Sequence, residues 1–180
     1  YSPFASKKLA LERQHLVLRR MTEVGAITEA QARAARDEKL RDTLAAAHTV
    51  HVLSLQVQVG LRGYLLARQP RYLAPWDEAK AALVPAERQL LATASATGDE
   101  DAADLIVSRV RSLVRDWQIP LIDLFKRDPT AGLDRFGNGE ALRHTAEIQR
   151  LTDTLEHSLE ARRAAAHAHV RAATTRLEAV

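Results

Sequence analysis

The chain has 180 residues, of which 46% are hydrophobic, 27% charged and only 4% aromatic; this suits one or two small folded domains and excludes a disordered polymer. Seven Gly and six Pro leave few turns for an all-β fold, and without Cys there are no disulfides, Cys-ligated zinc or thiol chemistry. The net charge of +3 lies in the first quarter: residues 1–42 hold nine Lys and Arg against six Asp and Glu, while residues 43–180 hold seventeen of each.

A nucleic-acid reader carries a basic stripe with stacking aromatics, whereas Lys7, Lys8, Arg13, Arg19 and Arg20 have only Phe4 nearby. Nucleic acid is therefore not an expected partner. There is no run of 18 apolar residues and no basic start before an apolar stretch, so neither a membrane span nor a signal peptide is expected. A start at Tyr1 rather than Met is what an excised or processed segment would give.

Pro3 makes Tyr1–Phe4 extended. Leu9, Leu11, Leu16, Val17, Leu18 and Met21 predict a short amphipathic helix from Lys7 to Glu23, with Gly25 as its C-cap residue and Ile27 folding back. Thr28, Glu29 and Gln31 form a capping-box pattern that starts a second helix near Glu29. No Pro interrupts it before Pro70, and apolar residues from Leu40 to Tyr64 recur at spacings of three or four. The next helix, beginning at Pro70, bears Tyr72, Leu73, Trp76, Ala79, Leu83, Leu90 and Leu91, and Pro85 should kink or split it.

Thr97-Gly98-Asp99 reads as a turn with Asp99 as N-cap. A further helix runs from Ala102 to Leu124, with Trp117 in its apolar stripe and Pro120 as a second interior kink. Asp128 to Gly139 reads as a loop. The last helix starts near Glu140 and carries Ile148, Leu151, Leu155, Leu159, Ala166, Val170, Ala173 and Leu177. Two long helices flanking two shorter ones, with short loops, predict an all-α, up-down-up-down four-helix bundle preceded by a helical hairpin.

The chemistry-bearing residues nominate no catalyst. His48 and His51 are three apart, as half of a metal site would be, but the nearest acid is Asp42; His167 and His169 point to different faces. No metal site or cofactor is expected. The acidic groups Glu100-Asp101-Asp104 and Asp77-Glu78 sit at helix starts, where the macrodipole explains them. Ser54 and Ser108 lack a glycine elbow, and there is no phosphate loop, so the chain is not expected to be an enzyme.

One cluster is dense: Gly60-Leu61-Arg62-Gly63-Tyr64, then Pro70, Tyr72, Pro75 and Trp76. Two glycines three apart in a helix cost about 2 kcal/mol together relative to Ala, which points to close packing or a functional kink. The structural reading is a tight helix contact beside an aromatic plug of Tyr64, Tyr72 and Trp76; the functional one is a switch or ligand site built on Arg62, Tyr64, Tyr72 and Trp76. Gly60, Gly63, Pro85, Trp117 and Pro120 are the expected helix-packing positions.

Two segments resemble known families. Residues 43–180 resemble the third type of CHASE domain, through Val59-Gly60-Leu61-Arg62-Gly63-Tyr64-Leu65-Leu66, Pro70-Arg71-Tyr72-Leu73-Ala74-Pro75-Trp76, Trp117-Gln118-Ile119-Pro120-Leu121 and the Leu/Ala-rich last helix. That family usually has an acid and a Thr before the first Gly, where this chain has Gln58 and Val59. The resemblance implies an extracytoplasmic sensor between two membrane spans, working as a homodimer, with output to a histidine kinase, a cyclase or a chemoreceptor. Residues 1–42 resemble the end of the glycosyltransferase domain of class A penicillin-binding proteins, through Ser2-Pro3, Ala10–Met21, Glu23–Ala32 and Ala35. No transpeptidase motif accompanies it. The expectation is a sensory module of a membrane-anchored bacterial receptor, such as the histidine kinase of a two-component system, with a fused helical cap; the alternative is a docking segment of a cell-wall synthesis protein.

Overall fold

The computed structural model describes the backbone of residues 7–178 and the side chains of residues 12–165. The expected extended start at Tyr1–Phe4 lies outside the described residues, as do the side chains of Leu9, Leu11, Ala166, His167, His169, Val170, Ala173 and Leu177. The described chain is helical throughout: α1 (Lys7–Glu23), α2 (Glu29–Ala67), a 3-10 turn (Pro70–Leu73), α3 (Ala74–Thr97), α4 (Glu100–Ser112), a π-helical turn (Leu113–Gln118), α5 (Ile119–Arg127), α6 (Pro129–Gly137) and α7 (Glu140–Glu178).

The first connection follows its residues closely. Gly25 sits at φ +71°, its amide donates to Thr22 O at 3.0 Å, and the Ala26 amide donates to Met21 O at 2.8 Å, closing α1 with the paired bonds of a Schellman motif. Three residues later the capping box forms: Gln31 N donates to Thr28 Oγ1 at 3.1 Å and Thr28 N to Gln31 Oε1 at 2.8 Å. From there α2 runs 39 residues without a break, crossing residue 42 as one rod about 58 Å long. It is long and apolar enough to cross a membrane by length and composition, contrary to the expectation of no such segment, but 44% of that apolar window is buried in the protein core.

Cross-helix contacts give the register. Gln58 meets Thr145 and Asp37 meets Arg163, so α2 and α7 run antiparallel. Gly60 lies against Trp76 while Thr43 Oγ1 meets Thr97 Oγ1 at 3.4 Å, so α2 and α3 do as well. Glu87 of α3 pairs with Arg111 of α4, and Arg109 of α4 with Glu147 of α7. Packing therefore cycles through α2, α3, α4 and α7 and back to α2. The enclosed core is mostly Leu, Val, Ile and Ala, with Trp76, Trp117, Tyr64 and Phe125 toward one end.

Several expectations need correction. Pro85 does not split its helix: α3 is continuous through it. Pro120 does not lie inside one continuous α-helix: it is in the first turn of α5, and its missing N–H comes just after a π-helical turn, in which the Ile119 amide bonds Val114 O, five residues back. Residues 129–137 are helix rather than loop, because Asp128 caps the amides of Thr130 and Ala131, both at 3.0 Å, with Pro129 in first position. Pro70 opens a 3-10 turn, not α3 itself. Asp99 makes no side-chain cap; its carboxylate takes Arg162 at 2.6 Å, while a second Arg162 nitrogen donates to Thr97 O at 3.0 Å. One α7 guanidinium thus staples the α3–α4 turn.

Candidate functional site

The residues of the Gly60–Trp76 cluster separate onto two faces of α2. On one face, Gly60 is the close contact: an added Cβ would lie 2.6 Å from Trp76 N and 2.9 Å from its Cα. The Trp76 ring is buried; its Nε1 donates to Gln118 Oε1 at 2.7 Å, and Lys80 Nζ lies 4.1 Å from the ring centroid. Gln118 is fully buried in the π-helical turn, and its Nε2 has no partner. Tyr64 is buried edge-on against Phe125, with ring centroids 5.3 Å apart. Gly132 of α6 repeats the Gly60 device, since a Cβ there would lie 2.8 Å from Phe125 Cα.

The expected site does not assemble as one unit. Tyr72 is 43% exposed beneath the Arg71 guanidinium and is not part of the plug. Gly63 has room for a side chain, since a Cβ there would meet no atom within 4 Å, so it is not a close contact of the Gly60 kind. Tyr64 and Trp76 are core residues, and Arg62 points to the other face. The α-helical period sets this division: Gly60, Leu61, Tyr64 and Leu65 fall on the inner stripe, Val59, Arg62 and Leu66 on the outer one.

On that outer face lies a half-enclosed groove of about 590 Å³. Its α2 wall carries Leu55, Gln58, Val59 and Arg62; Phe136 of α6 and Leu142 and Thr145 of α7 face them, and Trp117 forms part of the floor. Trp117 is 1% exposed, with Phe136 6.2 Å and His144 6.1 Å away between ring centroids. It is therefore both buried in the core and part of the groove floor. One end of the Gln58 amide meets Thr145 Oγ1 at 2.7 Å, while its Nε2 is buried with no partner. Trp117 Nε1 is in the same state. Arg62 is the sole ionisable residue in the lining. Gln58, Phe136, Leu142 and Thr145 are absent from the sequence-derived site. The N-cap signal Asp128-Pro129 could have placed Phe136 on a helix, but nothing local marks Thr145 or Leu142.

The histidine pair divides as well: His48 is exposed, whereas His51 is buried with Nε2 unpartnered. Among the described residues, no group of three or more His, Asp or Glu could hold a metal. In the π-helical turn, Arg115 donates to Asp116 at 2.7 Å, and this bond lowers the pKa of the exposed Asp116 carboxyl.

Residues 33–169 match the CHASE3 domain, about three quarters of the chain. The chain belongs to the CHASE3 family. No curated protein and no solved structure matches it significantly. CHASE3 domains are extracytoplasmic sensory domains of bacterial receptors, so both faces described above belong to a sensor fold. The CHASE3 match begins within the stretch that resembles penicillin-binding proteins, and no comparison supports that second resemblance.

Proposed function

We propose that this CHASE3 chain is the extracytoplasmic signal-input module of a bacterial transmembrane receptor, a sensor histidine kinase in preference to a cyclase or chemoreceptor. In this reading residues 43–180 form an up-down-up-down four-helix bundle that works as a homodimer and signals by helix rearrangement. Residues 1–42 serve as a helical cap joined in phase, a role consistent with the unbroken passage of α2 through residue 42. The module itself has no reaction to perform: the groove is lined by one guanidinium and otherwise by uncharged side chains, which supply no acid–base pair.

The observation that carries the reading is the placement of the two longest helices. Each of α2 and α7 has 39 residues against 24 in α3, and the Asp37–Arg163 pair puts the start of α2 beside the later part of α7. Both overhangs therefore leave the core at the same end, as two helices leading toward one membrane must. The groove and the Gly60–Trp76 contact lie toward the opposite end. A displacement of α7 against α2 there, by about 1–2 Å, is the kind of discrete shift that packed helices pass along their length.

The test uses the absence of Cys from these 180 residues, with the receptor lacking the substitution as the control for labelling elsewhere. In the membrane-bound receptor, Arg88→Cys on the exposed face of α3 should react with a membrane-impermeant maleimide in intact cells. Reaction only after the membrane is opened would place the module on the cytoplasmic side and end this reading.

A further inference from the structure

The groove has one strong chemical asymmetry. Leu55, Val59, Phe136 and Leu142 make it apolar, with Val59 and Leu142 72% and 70% exposed at its mouth. Exposed apolar side chains converging on a concavity mark a binding surface more often than chance scatter does. Against them stands a single cation, Arg62, which is exposed and makes no hydrogen bond or ion pair among the described residues. Other arginines near the core are engaged: Arg109 with Glu147, Arg111 with Glu87, Arg162 with Asp99.

We infer that this groove binds a small amphipathic monocarboxylate, its apolar body lying along Leu55, Val59, Phe136 and Leu142 and its carboxylate taken by the Arg62 guanidinium. The inference rests on the sensory reading only in making that binding the input. Size, charge and geometry each narrow the occupant. A volume of about 590 Å³ is that of a small-molecule site, and its half-enclosed shape suits a ligand with one face covered and the other toward solvent. One guanidinium presents a planar fork that matches one carboxylate through two parallel hydrogen bonds. A phosphomonoester, with nearly two charges and three acceptor oxygens, would leave up to about half of its charge uncompensated by a single cation. A neutral hydrocarbon would leave Arg62 without a role, and a cationic amphiphile would be repelled.

The polar groups behind the wall give the occupant a way to act. Gln58 Nε2 and Trp117 Nε1 are buried donors without partners among the described residues, and a buried donor left unpaired destabilises the packing that buries it. They flank the groove from α2 and from the π-helical turn, a geometry frequent at functional sites. A body wedged between Val59 and Leu142 widens the gap between α2 and the start of α7, and the widened form gives both donors access to ligand oxygen or water. The occupant therefore favours one of two packings by differential contacts, which is what a signal requires.

The experiment uses the 180-residue chain with decanoate and its neutral counterpart decanol, both below their aggregation limits, followed by calorimetry and by the indole N–H signals of the two tryptophans. Wild type should bind decanoate saturably and more tightly than decanol, and the Trp117 indole signal should move while that of Trp76 stays. Arg62→Gln, at an exposed position, should weaken decanoate by about tenfold or more and leave decanol unchanged. Leu142→Asp should weaken both. Absence of saturable decanoate binding, equal affinity for the two probes, or an unchanged decanoate affinity in Arg62→Gln would overturn the proposal. So would a Leu142→Asp chain that loses self-association but still binds decanoate, since the groove would then belong to a second copy. Failed binding together with outside labelling at Arg88→Cys removes this inference alone; labelling only after lysis removes the sensory reading alone.

Discussion

Within one turn of α2 the protein presents two opposite solutions to a helix surface. The inner face at Gly60 is closed: backbone touches backbone at Trp76, and the indole is hydrogen-bonded to Gln118. The outer face at Arg62 is open, bordered by exposed Val59 and by buried donors without partners. Stability and responsiveness ask for different surfaces. The filled contact fixes one packing by steric fit, even though Gln118 Nε2 beside it also lacks a partner among the described residues, whereas the groove on the other side is left unfilled. A helix that carries both can be anchored on one side and biased from the other.

The comparison can be broken most severely at Trp76. Trp76→Ala removes the buried indole beside the Gly60 contact and strands Gln118 Oε1, and should cost about 3–5 kcal/mol in urea unfolding. A loss below about 1 kcal/mol would mean that the closed face is not what holds α2 to α3. Next in size is Gly60→Ala, whose Cβ would collide with Trp76 backbone atoms rather than with a flexible side chain; the expected cost is about 1–3 kcal/mol. Gly63→Ala should act in the opposite direction. Its Cβ meets open space, so the gain in helix propensity, about 1 kcal/mol, should raise Tm. Destabilisation by Gly63→Ala would return that glycine to a packing role.

The smallest effect concerns acid. Arg115 lowers the Asp116 pKa, so the pair stabilises the fold above the ordinary carboxylate range, and the benefit fades as pH falls through the lowered folded value. Because Asp116 is solvent-exposed, the effect on Tm is small and should vanish in Asp116→Asn. A pH dependence of Tm below pH 4 identical in that variant and wild type would show that the pair contributes nothing, by the linkage argument.

These contrasts also show what the sequence could and could not reveal. The Thr28–Gln31 box and the unbroken three-and-four spacing read α2 correctly to its end, because both signals are local. The Gly60–Gly63 pair was legible as an anomaly, but not which glycine touches a neighbour, since that depends on the rotation of α2 against α3. Trp76 with Gln118, and Gln58 with Thr145, join residues 42 and 87 positions apart. No spacing rule announces such pairs. Residues 129–137 were misread because Gly132 and Gly137 look like loop residues, whereas Gly132 is the point where α6 closes on Phe125 and carries Phe136 to the groove.

The central claim is that the outer face of α2 serves signalling and not folding. The direct measurement is a paired one in the membrane-bound receptor: basal and stimulated output together with Tm for Arg62→Ala. Arg62 is exposed and has no partner among the described residues, so its loss should leave stability within about 0.5 kcal/mol of wild type. Output should change all the same. Equal losses of output and stability would make Arg62 a packing residue, and wild-type output with intact folding would leave it without a part in sensing.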